Sequence, residues 1–190
     1  WMNNPESQMV AVTVKAGSKA EMALPDGTFV HLNAATNLEY DVNNSKQRLV
    51  KLSGEAFFDV AKNPDCPFKV IINDLQIEVV GTSFNVKTYK KDIVETSLLS
   101  GRIRISGGSL PHEYTLSPGQ KATYSAMDKT LRISKADAHV EAGWRDNYLI
   151  FESTPLIDVI AQIERWYGVE IRLHKIYYRD LSETKVYRMS

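Results

Sequence analysis

The residues of this chain that could do chemistry are four histidines, one cysteine and a pair of carboxylates flanking two phenylalanines. His31, His112, His139 and His174 stand far apart. None has the H-x-x-x-H or H-x-E spacing that turns two ligands toward one metal ion, so no sequence-local zinc site is expected. Glu55 and Asp59 are four apart on a strand-like segment. That places both carboxylates on one face about 13 Å apart at ~3.3 Å per residue, beyond the ~5–9.5 Å that a glycosidase pair requires. Their expected work is to cap a corner or solvate a sheet edge. Gly81-Thr82-Ser83-Phe84 lacks the Gly-Lys-Ser/Thr of a phosphate loop and a following helix, so Gly81 is expected to serve close backbone packing. Ser83 and Ser100 lie outside any G-x-S-x-G context, which leaves nucleophilic hydrolysis unsupported. Cys66 is the only cysteine, so an intramolecular disulfide is impossible and a C-x-x-C site is excluded; it reads as a small apolar residue. The expectation is a protein with no catalytic residue, cofactor or metal.

The aromatic residues carry a different signal. Trp144, Tyr148, Trp166 and Tyr167 cluster in sequence and could form an inter-domain core or a platform for sugar rings or a protein partner. Core packing is the expectation for the group. Trp166 is the best interface residue among them, because it lies beside the apolar stripe of its helix. With 23 basic against 23 acidic side chains the chain has no net charge. It therefore lacks the basic surplus that nucleic acid or an anionic lipid surface would require. No apolar run approaches the ~20 residues of a membrane helix. The opening Trp1 and the polar stretch that follows read as a linker, residues 1–8, cut from something longer upstream.

The elements that must position these residues are mostly strands. Apolar and polar residues alternate over Val10–Val14, Thr28–Leu32, Arg48–Ser53, Glu55–Val60, Phe68–Ile72, Ile77–Val80, Arg102–Ile105, Lys121–Tyr124 and Thr130–Ile133, the period-two signature of a half-buried strand. Asp26-Gly27, Asn43-Asn44, Asn63-Pro64, Gly107-Gly108 and Met127-Asp128-Lys129 punctuate them as turns. Gly54 interrupts one run where a bulge or corner is expected. The reading is mainly β: an all-β domain over 9–142, built as a sandwich or as a short solenoid-like stack of strands. Over 143–190 the pattern changes. Tyr148–Glu152 reads as a strand, and Ser153-Thr154-Pro155 offers a capping hydroxyl and a first-turn proline. Leu156, Val159, Ile160, Ile163 and Tyr167 then form one helical stripe, closed by Gly168 as a left-handed cap. Val169–Leu173 returns as a strand, giving a β-α-β unit.

Five ordered motifs carry a family resemblance over roughly 12–124: Leu24-Pro25-Asp26-Gly27-Thr28, Arg48–Val60, Val79–Val86, Leu98-Leu99-Ser100-Gly101 and Leu116-Ser117-Pro118-Gly119-Gln120. In order and spacing they resemble the periplasmic domain of the FecR family of transmembrane anti-sigma regulators. The F-x-x-x-P-L-x-x-V-I and W-Y-G-V-x-I patterns are similar to the small α/β domain at the C-terminus of such regulators, which is related to the short N-terminal domain of secretins and TonB-dependent transporters. That domain normally holds two β-α-β halves, and this sequence ends where the second would start, so half of it is expected to be missing. The resemblance implies a periplasmic region anchored to the inner membrane by a helix outside this sequence. It also implies binding to the signalling domain of an outer-membrane TonB-dependent transporter and control of an extracytoplasmic-function sigma factor through a cytoplasmic segment, also outside it. Contact residues are expected in the C-terminal segment, at Trp166, Tyr167, Val169, Ile171 and Leu173. The rival readings are a carbohydrate-binding β module, which would stack sugars on Trp144 or Trp166, and a small β-stranded hydrolase or lyase, which the residues do not support.

Overall fold

Each alternating window becomes a strand because its apolar side finds a facing sheet to bury against. The computed structural model describes residues 8–42 and 48–172. In chain order the strands are β1 (Met9–Val14), β2 (Ala20–Ala23), β3 (Phe29–Leu32), β4 (Thr36–Asp41), β5 (Arg48–Ser53), β6 (Glu55–Asp59) and β7 (Phe68–Ile72). They continue as β8 (Leu75–Val79), β9 (Ser83–Lys87), β10 (Ile93–Ser100), β11 (Ile103–Gly107), β12 (Tyr114–Leu116), β13 (Gln120–Ser125) and β14 (Thr130–Lys135). A helical turn α1 (Ala138–Glu141), a 3-10 turn over Gly143–Asp146 and helix α2 (Leu156–Tyr167) follow. The class is mainly β.

Two seven-stranded sheets result, ordered β1-β4-β5-β7-β8-β11-β12 and β2-β3-β6-β9-β10-β13-β14. Both orders rise with chain order. The chain therefore builds the two sheets side by side from one end of the sandwich to the other, crossing between them as it goes. Both alternatives left by the sequence are realised, since the layers are those of a sandwich and the connectivity advances like a solenoid. One full coil is visible at β5, β6 and β7: the chain leaves the first sheet, adds β6 to the second and returns, so that β5 and β7 pair in parallel.

Gly54 makes that departure possible. It sits between β5 and β6 at φ +114°, where a Cβ would lie 2.5 Å from Thr36 Oγ1 and 2.6 Å from Thr36 Cα. Only a residue without a side chain fits the corner. At the second glycine corner a Cβ on Gly81 would meet Lys62 Cα at 2.9 Å, which is the close packing expected of it.

The core lies between the sheets. Leu38, Val50, Phe68, Ile77 and Ile105 from the first meet Val30, Leu32, Phe58, Phe84 and Leu98 from the second in one cluster. Phe58 links the layers, stacking on Phe84 at 5.2 Å and tilting against Phe68 at 5.8 Å. The outer face of the first sheet is solvated and carries opposite charges side by side: Lys51 beside Glu39, Lys69 beside Glu78, and Arg104 between Glu78 and Glu113.

The C-terminal segment departs from expectation. Neither 148–152 nor 169–172 forms a strand, and Leu173 lies outside the described residues. A strand persists only where a neighbour completes its hydrogen-bond ladder, and neither segment has such a neighbour among the described residues. The helix forms as read, with Gly168 as its left-handed cap at φ 66°. Its start differs: Pro155 occupies the N-cap and no side chain caps it, while Thr154 Oγ1 turns back to Glu152 O at 3.4 Å.

Candidate functional site

The family-like motifs near the N-terminus converge on one arginine. Arg48 opens β5 and is buried, its side chain 2% exposed. Its Nε donates to Cys66 O at 2.6 Å, Nη1 to Ala61 O at 2.6 Å and to Asp26 Oδ2 at 3.2 Å, and Nη2 to Asn63 O at 3.2 Å. The guanidinium thus fastens the return loop of the β5-β6-β7 coil through three carbonyls. Asp26 reaches it from the β2–β3 turn, where it also accepts from Thr28 N at 3.0 Å and Thr28 Oγ1 at 2.8 Å. These contacts make the Leu24–Thr28 motif a structural turn.

Glu55 is the chemically unusual residue. It points to the outer face of the second sheet, yet it is only 5% exposed, because the C-terminal segment lies across that face. Asn33 Nδ2 donates to Oε2 at 2.8 Å and Asn85 Nδ2 to Oε1 at 3.0 Å. Both amides are held in that orientation from behind: Asn33 Oδ1 accepts from Ala34 N at 2.8 Å and Asn85 Oδ1 from Trp144 Nε1 at 3.2 Å. Burial raises the Glu55 pKa; the Lys87 charge, the two amides and the Arg165 charge pull the other way. Tyr89, beside it, is likewise raised, by burial and by the Glu55 charge. The corner-capping or edge-solvating role read for this carboxylate is therefore corrected. Asp59, by contrast, is exposed and accepts from Ser83 Oγ at 2.7 Å. Two asparagines far off in sequence form the Glu55 site, so no spacing pattern could have revealed it.

The C-terminal residues sort into two groups. Trp144 is buried with Phe57 and Ala142, and half-buried Trp166 and Leu99 pack against them. Tyr148 and Tyr167 face outward, 61% and 63% exposed, and Val169 is 50% exposed. Ile171 is half-buried, its N–H donating to Glu164 Oε1 at 2.7 Å. The two tryptophans are packed inward, not presented as a platform.

Helix α2 buries Ile160 and half-buries Leu156, Val159, Ile163 and Trp166, and polar contacts add to this apolar face. Lys90 Nζ meets Asp158 at 2.6 Å, and the Arg165 guanidinium lies 4.0 Å from the centre of the Tyr89 ring. Lys19 Nζ sits 3.4 Å over the Trp166 ring; burial lowers its pKa. Exposed contacts of these kinds contribute roughly 0–1 kcal/mol each. Between α2 and the second sheet runs a cleft of about 590 Å³. Ion pairs line it, Lys121 to Glu141 at 2.6 Å and Lys90 to Asp158 at 2.6 Å. It is an ion-paired seam. Among the described residues no group of His, Cys, Asp or Glu could hold a metal ion, and no helix is long and apolar enough to cross a membrane.

Comparison with known proteins places this architecture. The family described as FecR protein matches residues 10–104. The chain belongs to the FecR protein family. A second family, described as FecR, C-terminal, matches 148–182, so the FecR sandwich and the α2 segment are each recognised. Strands β12 to β14 lie beyond the first match and complete the FecR sandwich. Two crystal structures of a candidate anti-sigma factor from Parabacteroides distasonis ATCC 8503 are similar over most of the chain. One, at 2.50 Å resolution, has a TM-score of 0.79 and 32% identity, covering 86% of this chain and 76% of its own. The other, at 1.65 Å, has a TM-score of 0.78 and 32% identity, covering 85% and 76%. No curated protein sequence matches the chain.

Proposed function

We propose that this chain is the signal-relay region of an anti-sigma regulator and works by binding, without catalysis. It divides into a scaffold over 9–142 and a contact segment over 143–190. The segment binds the signalling domain of an outer-membrane TonB-dependent transporter in the periplasm. The state of that contact controls an extracytoplasmic-function sigma factor across the inner membrane. FecR membership and the likeness to anti-sigma factor structures support the reading. The observation that carries it is a C-terminal helix laid on the sandwich with Tyr167 and Val169 exposed at its end. A regulator needs a partner that distinguishes two of its states, because only differential affinity shifts an equilibrium. A helix that keeps exposed apolar residues at its end suits that use.

The contact residues are Trp166, Tyr167, Val169, Ile171 and Leu173. Calorimetric titration with the transporter's signalling domain tests them. Tyr167→Ala and Val169→Asp should each weaken binding by about tenfold or more, the loss of a central interface side chain, whereas Lys51→Ala on the far sheet should leave it unchanged. Equal affinity across all three variants would remove the C-terminal segment from the contact.

A further inference from the structure

We propose that the β1–β2 turn, residues 15–19, is a releasable clasp that hides the Trp166 face of α2, with the Lys19 ammonium as its pin. One ammonium ties three elements. Besides lying over the Trp166 ring at 3.4 Å, Lys19 Nζ donates to Trp144 O at 2.6 Å and to Asn147 Oδ1 at 3.0 Å, at the exit of the 3-10 turn. The turn also grips the helix end through its backbone. Gly17 N donates to Arg165 O at 2.8 Å. Gly17 and Gly168 meet back to back in left-handed conformations, so that a Cβ on Gly17 would lie 3.2 Å from Tyr167 O and one on Gly168 would lie 3.2 Å from Ala16 O. The fit is specific to this docked position.

What the clasp covers is an apolar patch. Trp166 packs on the cluster of Phe57, Leu99, Ala142 and Trp144, and release of α2 exposes its ring and the surface beneath it together. Lys19 belongs to the sandwich, while Trp144, Asn147 and Trp166 belong to the C-terminal segment, so this turn ties the two together, beside the Lys90–Asp158 pair and the Trp144–Asn85 hydrogen bond. The purpose of release rests on the relay reading above: it adds Trp166 to the contact surface already offered by Tyr167 and Val169. The existence of the clasp does not depend on that reading.

Hydrogen exchange on the 190-residue chain tests it without any partner. In Lys19→Ala the amides of 156–167 should exchange about tenfold faster than in the wild type, with the amides of β9 and β10 unchanged. Lys19→Arg, which keeps a cation over the ring, should restore most of the protection. Unchanged exchange over 156–167 in Lys19→Ala would overturn the clasp, and so would a rise shared equally by β9 and β10, which reports loss of the whole fold. Titration with the transporter's signalling domain then separates the two readings. Tighter binding by Lys19→Ala supports release as the step that binding needs. Failure of both proteins to bind would sink the relay reading and leave the clasp to stand on the exchange result.

Discussion

At the scale of single residues, two buried charges decide how this sandwich holds together. Arg48 satisfies three carbonyls of a crossing loop and one carboxylate. Removing it takes a charged donor from all four groups. Arg48→Met should cost roughly 3–5 kcal/mol, as expected when one partner of a buried charged network is lost, read as a fall in the urea midpoint with an unchanged slope. Glu55 behaves differently. Its two asparagine donors cannot turn, because each amide oxygen is already engaged. Glu55→Gln would set an N–H group against one of them and should cost about 1–3 kcal/mol. A pH dependence accompanies this cost. The folded-state pKa of Glu55 is raised above the ordinary 4.5, so its contribution is complete below that value and is lost as pH rises through the folded pKa. The stability gap between wild type and Glu55→Gln should therefore narrow as pH increases from 4.5; urea unfolding of both proteins across that range measures it, and a widening gap would refute the assignment. Neither residue's role was legible in the sequence. Arg48 read only as the start of a strand and Glu55 as a surface carboxylate, because their partners come from turns and strands brought together by the fold.

At the scale of elements, glycine corners and alternation were readable, and pairing was not. Gly54 was recognisable as a corner because it breaks a period-two run. Its Cβ clash with Thr36 predicts that Gly54→Ala loses roughly 2–4 kcal/mol from combined crowding and backbone strain. Gly119→Ala, where nothing lies within 4 Å of the added carbon, should lose only about 1–2 kcal/mol from the left-handed backbone. Thermal denaturation ranks the two, and an equal cost would show that the Thr36 contact is relieved by a shift of the corner. Five strands, β2, β4, β9, β10 and β12, lie outside the alternating windows, and two of them do so for local reasons. β4 carries Asn37 and Asp41, residues that strands disfavour, and β10 shifts register between Leu98 and Ser100, which breaks the period. The segments flanking α2 have strand-like composition but no ladder neighbour among the described residues. The helix itself was readable from its stripe and its glycine cap, since both signals are local.

At the scale of the molecule, the chain is a progressive sandwich with a helix laid against one face. Period two implied the strands, but sheet order depends on contacts between distant residues, so sandwich and solenoid looked alike until the pairing was known. The same arrangement suits the proposed regulation by binding. The sandwich core spans both sheets, and α2 lies outside that core, on an outer face where a partner can reach it. The central claim is that the C-terminal segment binds a transporter signalling domain, and calorimetric titration of the chain with that isolated domain tests it most directly. Saturable one-to-one binding, weakened by Tyr167→Ala and Val169→Asp, is the predicted result. Binding that survives both substitutions undiminished, or no binding by a chain whose exchange pattern shows it folded, would contradict the account.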